Sequence, residues 1–252
     1  MKSLHINNFR DISGYCNCDG EMMKAHKIYR GAALNLISQE EASYLENDLG
    51  IRYIIDFRDE KESKMTPDYS FKQAVYQRIS ALQIKKHASQ GFDFGTMLQG
   101  QMTKEKYEFL LEYVKEGYQT MAFDNPAYHY LFGVMLKNEG NIYFHCSAGK
   151  DRTGVAGFLI MIALGMSEED AIKEYLLSNV FLRESNEALC KQLQIPVELR
   201  KECEPLLYVQ KEFIDLTIQS IKNKYDSYDE FLLKEYHLDK EKREKLKEIY
   251  CE

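Results

Sequence analysis

The stretch His145-Cys146-Ser147-Ala148-Gly149-Lys150-Asp151-Arg152-Thr153-Gly154 places a thiol and a guanidinium six positions apart. Cys146 is the only one of the six cysteines with an arginine at that distance. An apolar run, Asn141-Ile142-Tyr143-Phe144, precedes the pair, and a second, Val155 to Leu164, follows it. This order reads as a buried strand, a tight loop and the start of a helix. Such a loop aims backbone N–H groups and a helix dipole at one point, which makes an anion site. The same field favours a thiolate nucleophile at Cys146. Together with a planar guanidinium, the chemistry expected is transfer of a phosphoryl group from a phosphomonoester to cysteine.

The elements needed to position these groups can be read along the chain. His26 to Arg30, Ile51 to Asp56 and Phe71 to Ile79 read as strands. Ser38-Gln39-Glu40-Glu41 is a capping box opening a helix that stops at Gly50. Residues 102–121 carry apolar groups at helical spacing, and Asn125-Pro126 opens the helix before the Cys146 strand. Ser167 opens another helix, and a last one is expected from Asp239 to Tyr250. Strands alternating with helices predict an α/β fold with a mostly parallel central sheet flanked by helices. Gly149-Lys150 also invites comparison with a nucleotide P-loop, but that motif requires Gly at 144 and Ser or Thr at 151, where Phe144 and Asp151 stand.

The loop resembles the signature loop of the cysteine-dependent protein tyrosine phosphatase superfamily. Its Ala-Gly-Lys-Asp-Arg variant is similar to that of the bacterial tyrosine/lipid phosphatases related to dual-specificity phosphatases. Four further blocks carry the same resemblance in the same order: Asn8-Phe9-Arg10-Asp11, Tyr29-Arg30-Gly31-Ala32, Ile55-Asp56-Phe57-Arg58 and Tyr175-Leu176-Leu177-Ser178-Asn179. The resemblance implies a single phosphatase domain over 1–252, with a helical lid at about 95–121 and a helical extension at about 180–252. It implies metal-free hydrolysis through phosphocysteine, with no cofactor, on phosphotyrosine proteins, phosphoinositides or both.

Roles follow residue by residue. Cys146 would attack phosphorus, and Arg152 would grip two phosphate oxygens with its fork. Backbone N–H groups of Ser147, Ala148, Gly149 and Lys150 would hold the rest. Thr153 sits where the superfamily places a hydroxyl that stabilises the departing thiolate. His145 would order the loop, and Asp11, Arg30, Asp56 and Arg58 would form a charge network behind it. Lys150 adds charge at the pocket rim, as in phosphoinositide phosphatases, or is simply solvated. The general acid departs from the family pattern. The loop where an aspartate is expected reads Arg78-Ile79-Ser80-Ala81-Leu82-Gln83, without a carboxylate. Asp93, between glycines 91 and 95, and Asp151 are the two candidates; Asp151 could instead position water or pair with Arg152 or Arg10. Without a dedicated acid, the chain would favour phenol over alkyl leaving groups, or would be a catalytically impaired phospholigand-binding module.

A net charge of −7 argues against general nucleic-acid binding. No apolar run is long enough for a membrane span, and the N-terminus has no signal-peptide core. The expectation is therefore cytoplasmic, with release independent of a cleaved signal left open. The cysteines show no disulfide-scaffold pattern, and Cys16-x-Cys18 is too short for a usual zinc half-site.

Overall fold

The computed structural model describes residues 4–82, 103–192, 201 and 204–252. Among them are five strands: β1 (Arg10–Asp11), β2 (Ile28–Gly31), β3 (Ile51–Asp56), β4 (Val75–Arg78) and β5 (Asn141–His145). They form one sheet in the order β1-β2-β5-β3-β4. The β1–β2 pair is antiparallel and the others are parallel. β5, which delivers the Cys146 loop, is the central strand, with Gly31 and Asp56 both in register with His145.

Period-2 alternation of apolar side chains supplies both faces of the sheet. Ile28, Ile142 and Phe144 join the larger core, while Tyr29 and Tyr143 join the smaller one. In β3 the phase shifts at an irregularity between Ile51 and Tyr53, after which Tyr53 and Ile55 face the larger core and Ile54 the smaller.

Helix α1 (Gln39–Asn47) covers the smaller core through Ala42 and Leu45, and its Ser38–Glu41 capping box is formed. α2 (Glu60–Met65) follows β3 and opens with a second capping box, Asp59–Glu62. α3 (Lys104–Thr120) and α4 (Pro126–Lys137) precede β5, with Asn125 capping α4. α5 (Arg152–Ala163) starts on Arg152 and is buried from Thr153 to Ala163, so it runs through the core with apolar groups all round. Against α5 packs α6 (Glu168–Leu176), followed by α7 (Ser178–Phe181) and α8 (Arg183–Gln192). α9 (Lys211–Lys224) packs on α3, and α10 (Tyr228–Tyr236) and α11 (Lys240–Tyr250) close the larger core. No described helix is long and apolar enough to cross a membrane.

Two strand expectations shorten in the structure. Phe71 to Ile79 contracts to β4, and His26 to Arg30 begins only at Ile28, because His26 takes positive φ.

Candidate active site

The loop from Cys146 to Asp151 joins the end of β5 to the first residue of α5. Asp151, at the N-cap, makes no side-chain cap. The first N–H groups of α5 are thus left uncapped by that side chain, as an anion site requires. Gly149 holds φ at +69°, and a Cβ there would fall 2.2 Å from the carbonyl oxygen of Gly31, so the loop folds directly onto β2. Cys146 is 2 % exposed, and Thr153 is fully buried with its Oγ1 lacking a hydrogen-bond partner among the described residues.

Arg152 is gripped by Glu62 of α2. Its Nη1 donates to Glu62 Oε2 at 2.5 Å and its Nη2 to Oε1 at 2.7 Å. Ser147 Oγ donates to the same Oε1 at 2.8 Å. Burial would raise the Glu62 carboxyl, but Arg152, the N–H of Asp59 and Ser147 outweigh it and hold it down to about 2. Burial likewise opposes the charge on Arg152, and Glu62 overcomes it, keeping the guanidinium firmly protonated. The sequence offered Glu62 only as the third position of a helix-capping box; its reach to Arg152 is a tertiary contact.

An open cleft adjoins this pair. Asp59, Glu62, Asp151 and Arg152 supply its polar lining, and Leu82, Tyr113, Val114 and Met121 its apolar lining. Asp151 pairs with neither Arg152 nor Arg10. Its Oδ1 accepts from the Tyr118 hydroxyl at 2.8 Å, and its Oδ2 lies 3.6 Å from Lys150 Nζ. Lys150 in turn donates to the carbonyl of Leu206 at 2.7 Å and is 12 % exposed, so its ammonium is engaged by the chain rather than solvated. Asp93 and residues 95–102 of the expected lid lie outside the described residues. From residue 103 onward, the expected helix is α3, which contributes Tyr113, Val114, Gly117 and Tyr118 to the cleft.

Behind the loop, Glu174 joins two arginines. Arg10 Nε donates to Oε1 and Arg30 Nη1 to Oε2, each at 2.6 Å. Arg30 Nη2 also donates to the carbonyl of Gly149 at 2.9 Å, and Asn8 Nδ2 reaches the same oxygen at 2.8 Å. Burial would raise Glu174, but Arg30 and Arg10 pull it below the usual carboxylate range. Burial also lowers Arg10, to about 10. Asp11 stays out of this network. It accepts from the backbone N–H of His26 at 2.6 Å, and burial pushes its carboxyl up.

A second cluster lies beside His145. Its Nδ1 faces the carbonyl of Cys146 at 3.1 Å, and its Nε2 lies 3.2 Å from Asp68 Oδ2. Arg58 Nη2 donates to Asp56 at 2.9 Å and to Asp68 at 2.6 Å. Asp56, Asp68 and His145 are close enough to hold a metal ion, but Arg58 already ion-pairs with both carboxylates. Asp68 and Glu174 gave no sequence signal of their own, because each acts through a partner distant in the chain.

The cysteine–arginine loop leads into a helix that Asp151 leaves uncapped, at the end of the central strand of a mostly parallel α/β sheet. A sequence profile of the tyrosine phosphatase family matches residues 1–252, and the chain belongs to that family. It is 28 % identical over 233 residues to a candidate tyrosine-protein phosphatase of Cupriavidus necator, covering 90 % of this chain and 80 % of that one. It is 27 % identical over 168 residues to a tyrosine-protein phosphatase of Nostoc commune, covering 66 % of this chain and 52 % of that one. Among solved structures it is similar to PTPMT1 in complex with PI(5)P, at 15 % identity and a TM-score of 0.33 over 67 % of this chain and 93 % of that chain. It is also similar to the catalytic core of the PP-IP phosphatase Siw14 from S. cerevisiae, at 18 % identity and a TM-score of 0.29 over 72 % and 89 %.

Proposed function

We propose that the protein hydrolyses aryl phosphate monoesters of the phosphotyrosine type through a phosphocysteine on Cys146. The observation that carries this reading is the loop that sets Cys146 at the end of β5 and Arg152 on the first turn of α5. In the first step the Cys146 thiolate attacks phosphorus and the P–O ester bond breaks. Asp151 gives its proton to the departing phenol oxygen. Arg152 and the loop N–H groups hold the equatorial oxygens, and Glu62 yields the Arg152 fork as they enter. In the second step water attacks phosphorus, Asp151 takes its proton, and the S–P bond breaks. The unpaired Thr153 hydroxyl meets the returning thiolate.

Substrate class follows from the cleft. Leu82, Val114, Met121 and the Tyr113 ring suit a flat aromatic side chain. Asp59, Glu62 and Asp151 oppose additional phosphates, and the Lys150 charge that would welcome them is held by Leu206. The test is phosphate release by the reduced, chelator-treated protein from a phosphotyrosine peptide, a phosphoserine peptide and a phosphoinositide panel. Phosphotyrosine should rank first, and release should vanish in Cys146→Ser while orthovanadate still binds. Activity retained in that variant removes the mechanism. No release from any substrate by the parent protein would leave a phospholigand-binding module.

A further inference from the structure

Asp151 is tied to a line of buried hydroxyls. Tyr118 of α3 donates to its Oδ1 at 2.8 Å, and the hydroxyls of Tyr118 and Tyr175 lie 2.7 Å apart. Tyr175, near the end of α6, reaches the carbonyl of Gln210 at 3.3 Å. Both tyrosines are fully buried. Burial first, then the neighbouring Asp151, pushes both phenols well above their ordinary value, so they stay protonated and each has one proton to donate.

The ring positions are fixed by packing. Tyr118 stacks on Phe213 with ring centres 5.4 Å apart, and Tyr175 meets Tyr118 edge to face. Tyr175 lies against Gly154 on the first turn of α5, where a Cβ would come 2.7 Å from its ring. The Tyr175 ring therefore packs on the same turn that presents Arg152.

Three oxygen–oxygen contacts run from Asp151 to Gln210, and the two phenols supply two protons. Tyr118 donates to Oδ1 of Asp151, and Tyr175 has one proton to give either to Tyr118 or to the Gln210 carbonyl. Oδ1 is thus an acceptor whether Asp151 is ionised or carries the acid proton on Oδ2, the oxygen that can serve a leaving group. Hydroxyl rotation switches the partner of Tyr175 without moving a ring.

We infer that Tyr118 and Tyr175 are positioning residues for Asp151: a hydroxyl line, ending on the Gln210 carbonyl, that holds Oδ1 in both protonation states and leaves Oδ2 to carry the acid proton to the leaving oxygen. This rests on the reading of Asp151 as the general acid. It also gives a role to Tyr175 of the Tyr175–Asn179 block, which the proposed mechanism otherwise leaves without one.

The test compares turnover of phenyl phosphate, a poor leaving group, with that of dinitrophenyl phosphate, which needs no acid. Asp151→Asn should cost the first about 100-fold or more and nearly spare the second. Tyr118→Phe keeps the ring and should reproduce that selectivity in smaller measure, about tenfold against less than twofold. Adding Tyr118→Phe to Asp151→Asn should cost nothing further. Tyr175→Phe, one hydroxyl further away, should show the same selectivity more weakly, and it stands in if Tyr118→Phe does not fold. Selective loss in Asp151→Asn with either folded phenylalanine variant like the parent overturns the inference and leaves Asp151 as the acid. Equal loss for both substrates in a phenylalanine variant marks a structural role and also overturns it. No leaving-group dependence in Asp151→Asn removes the acid reading and the inference together.

Discussion

At Arg152, both donors of the fork that a phosphate needs are already taken by one carboxylate. Glu62 meets Nη1 and Nη2 together and adds the Ser147 hydroxyl. Charge-assisted bidentate pairs of this kind are among the stronger polar contacts in proteins. An entering dianion must therefore displace or share Glu62, in a cleft that also holds Asp59 and Asp151. Glu62→Gln removes one negative charge while keeping an acceptor for Arg152. It should tighten orthovanadate about tenfold, equivalent to about 1.4 kcal/mol, in a titration at neutral pH. Weaker binding in that variant would instead mean that Glu62 aims the guanidinium and does not compete with the ligand. None of this was visible in sequence. Cys146 and Arg152 announce themselves because both lie within one loop, whereas Glu62 and Arg152 are 90 residues apart, and Tyr118 and Tyr175 are 57 apart. Separation of that size leaves no periodicity or spacing to read.

Elements were legible where a local rule decides them. The Ser38–Glu41 box, the Asn125-Pro126 start and the Asp239 cap all appear at their expected places, since capping depends on three or four neighbouring residues. The short β4 was less legible because Val75 and Tyr76 on it are exposed, so its alternation carries little burial signal. At this scale α5 and α6 meet through the Gly154–Tyr175 contact. A methyl group at Gly154 would press on the fully buried Tyr175 ring, which meets Tyr118 edge to face. Gly154→Ala should therefore destabilise the fold by about 1–3 kcal/mol, as overpacking does, despite alanine's higher helix propensity. Urea unfolding measures it. An unchanged or raised midpoint would show that Tyr175 can give way, and that the ring is not clamped.

Across the whole molecule, buried charges tie the sheet to the helices. Glu174 of α6 binds Arg10 of β1 and Arg30 of β2, and Arg30 carries the connection on to the Gly149 carbonyl. On the other side of the loop, burial would raise Asp56, but His145 and Arg58 hold it below its ordinary range. Glu62, Glu174 and Asp56 thus all have folded-state carboxyls depressed below their unfolded values. The unfolded chain then binds more protons, so their stabilisation is present above the unfolded pKa and is lost as pH falls through the folded one. For Glu62 that window runs from the ordinary 4.5 down to about 2. Stability should therefore fall steeply in this acid range. Glu174→Gln separates one contributor. At about pH 7 it leaves two buried guanidiniums with no carboxylate and should cost about 3–5 kcal/mol, the usual result of breaking a buried pair from one side. Its stability should also decline less between about pH 5 and pH 2 than that of the parent, because one depressed carboxyl no longer titrates. Urea midpoints across that range decide the matter. Parallel curves for the two proteins would show that Glu174 contributes by packing alone, and that its ion pairs are as costly to bury as they are favourable to form.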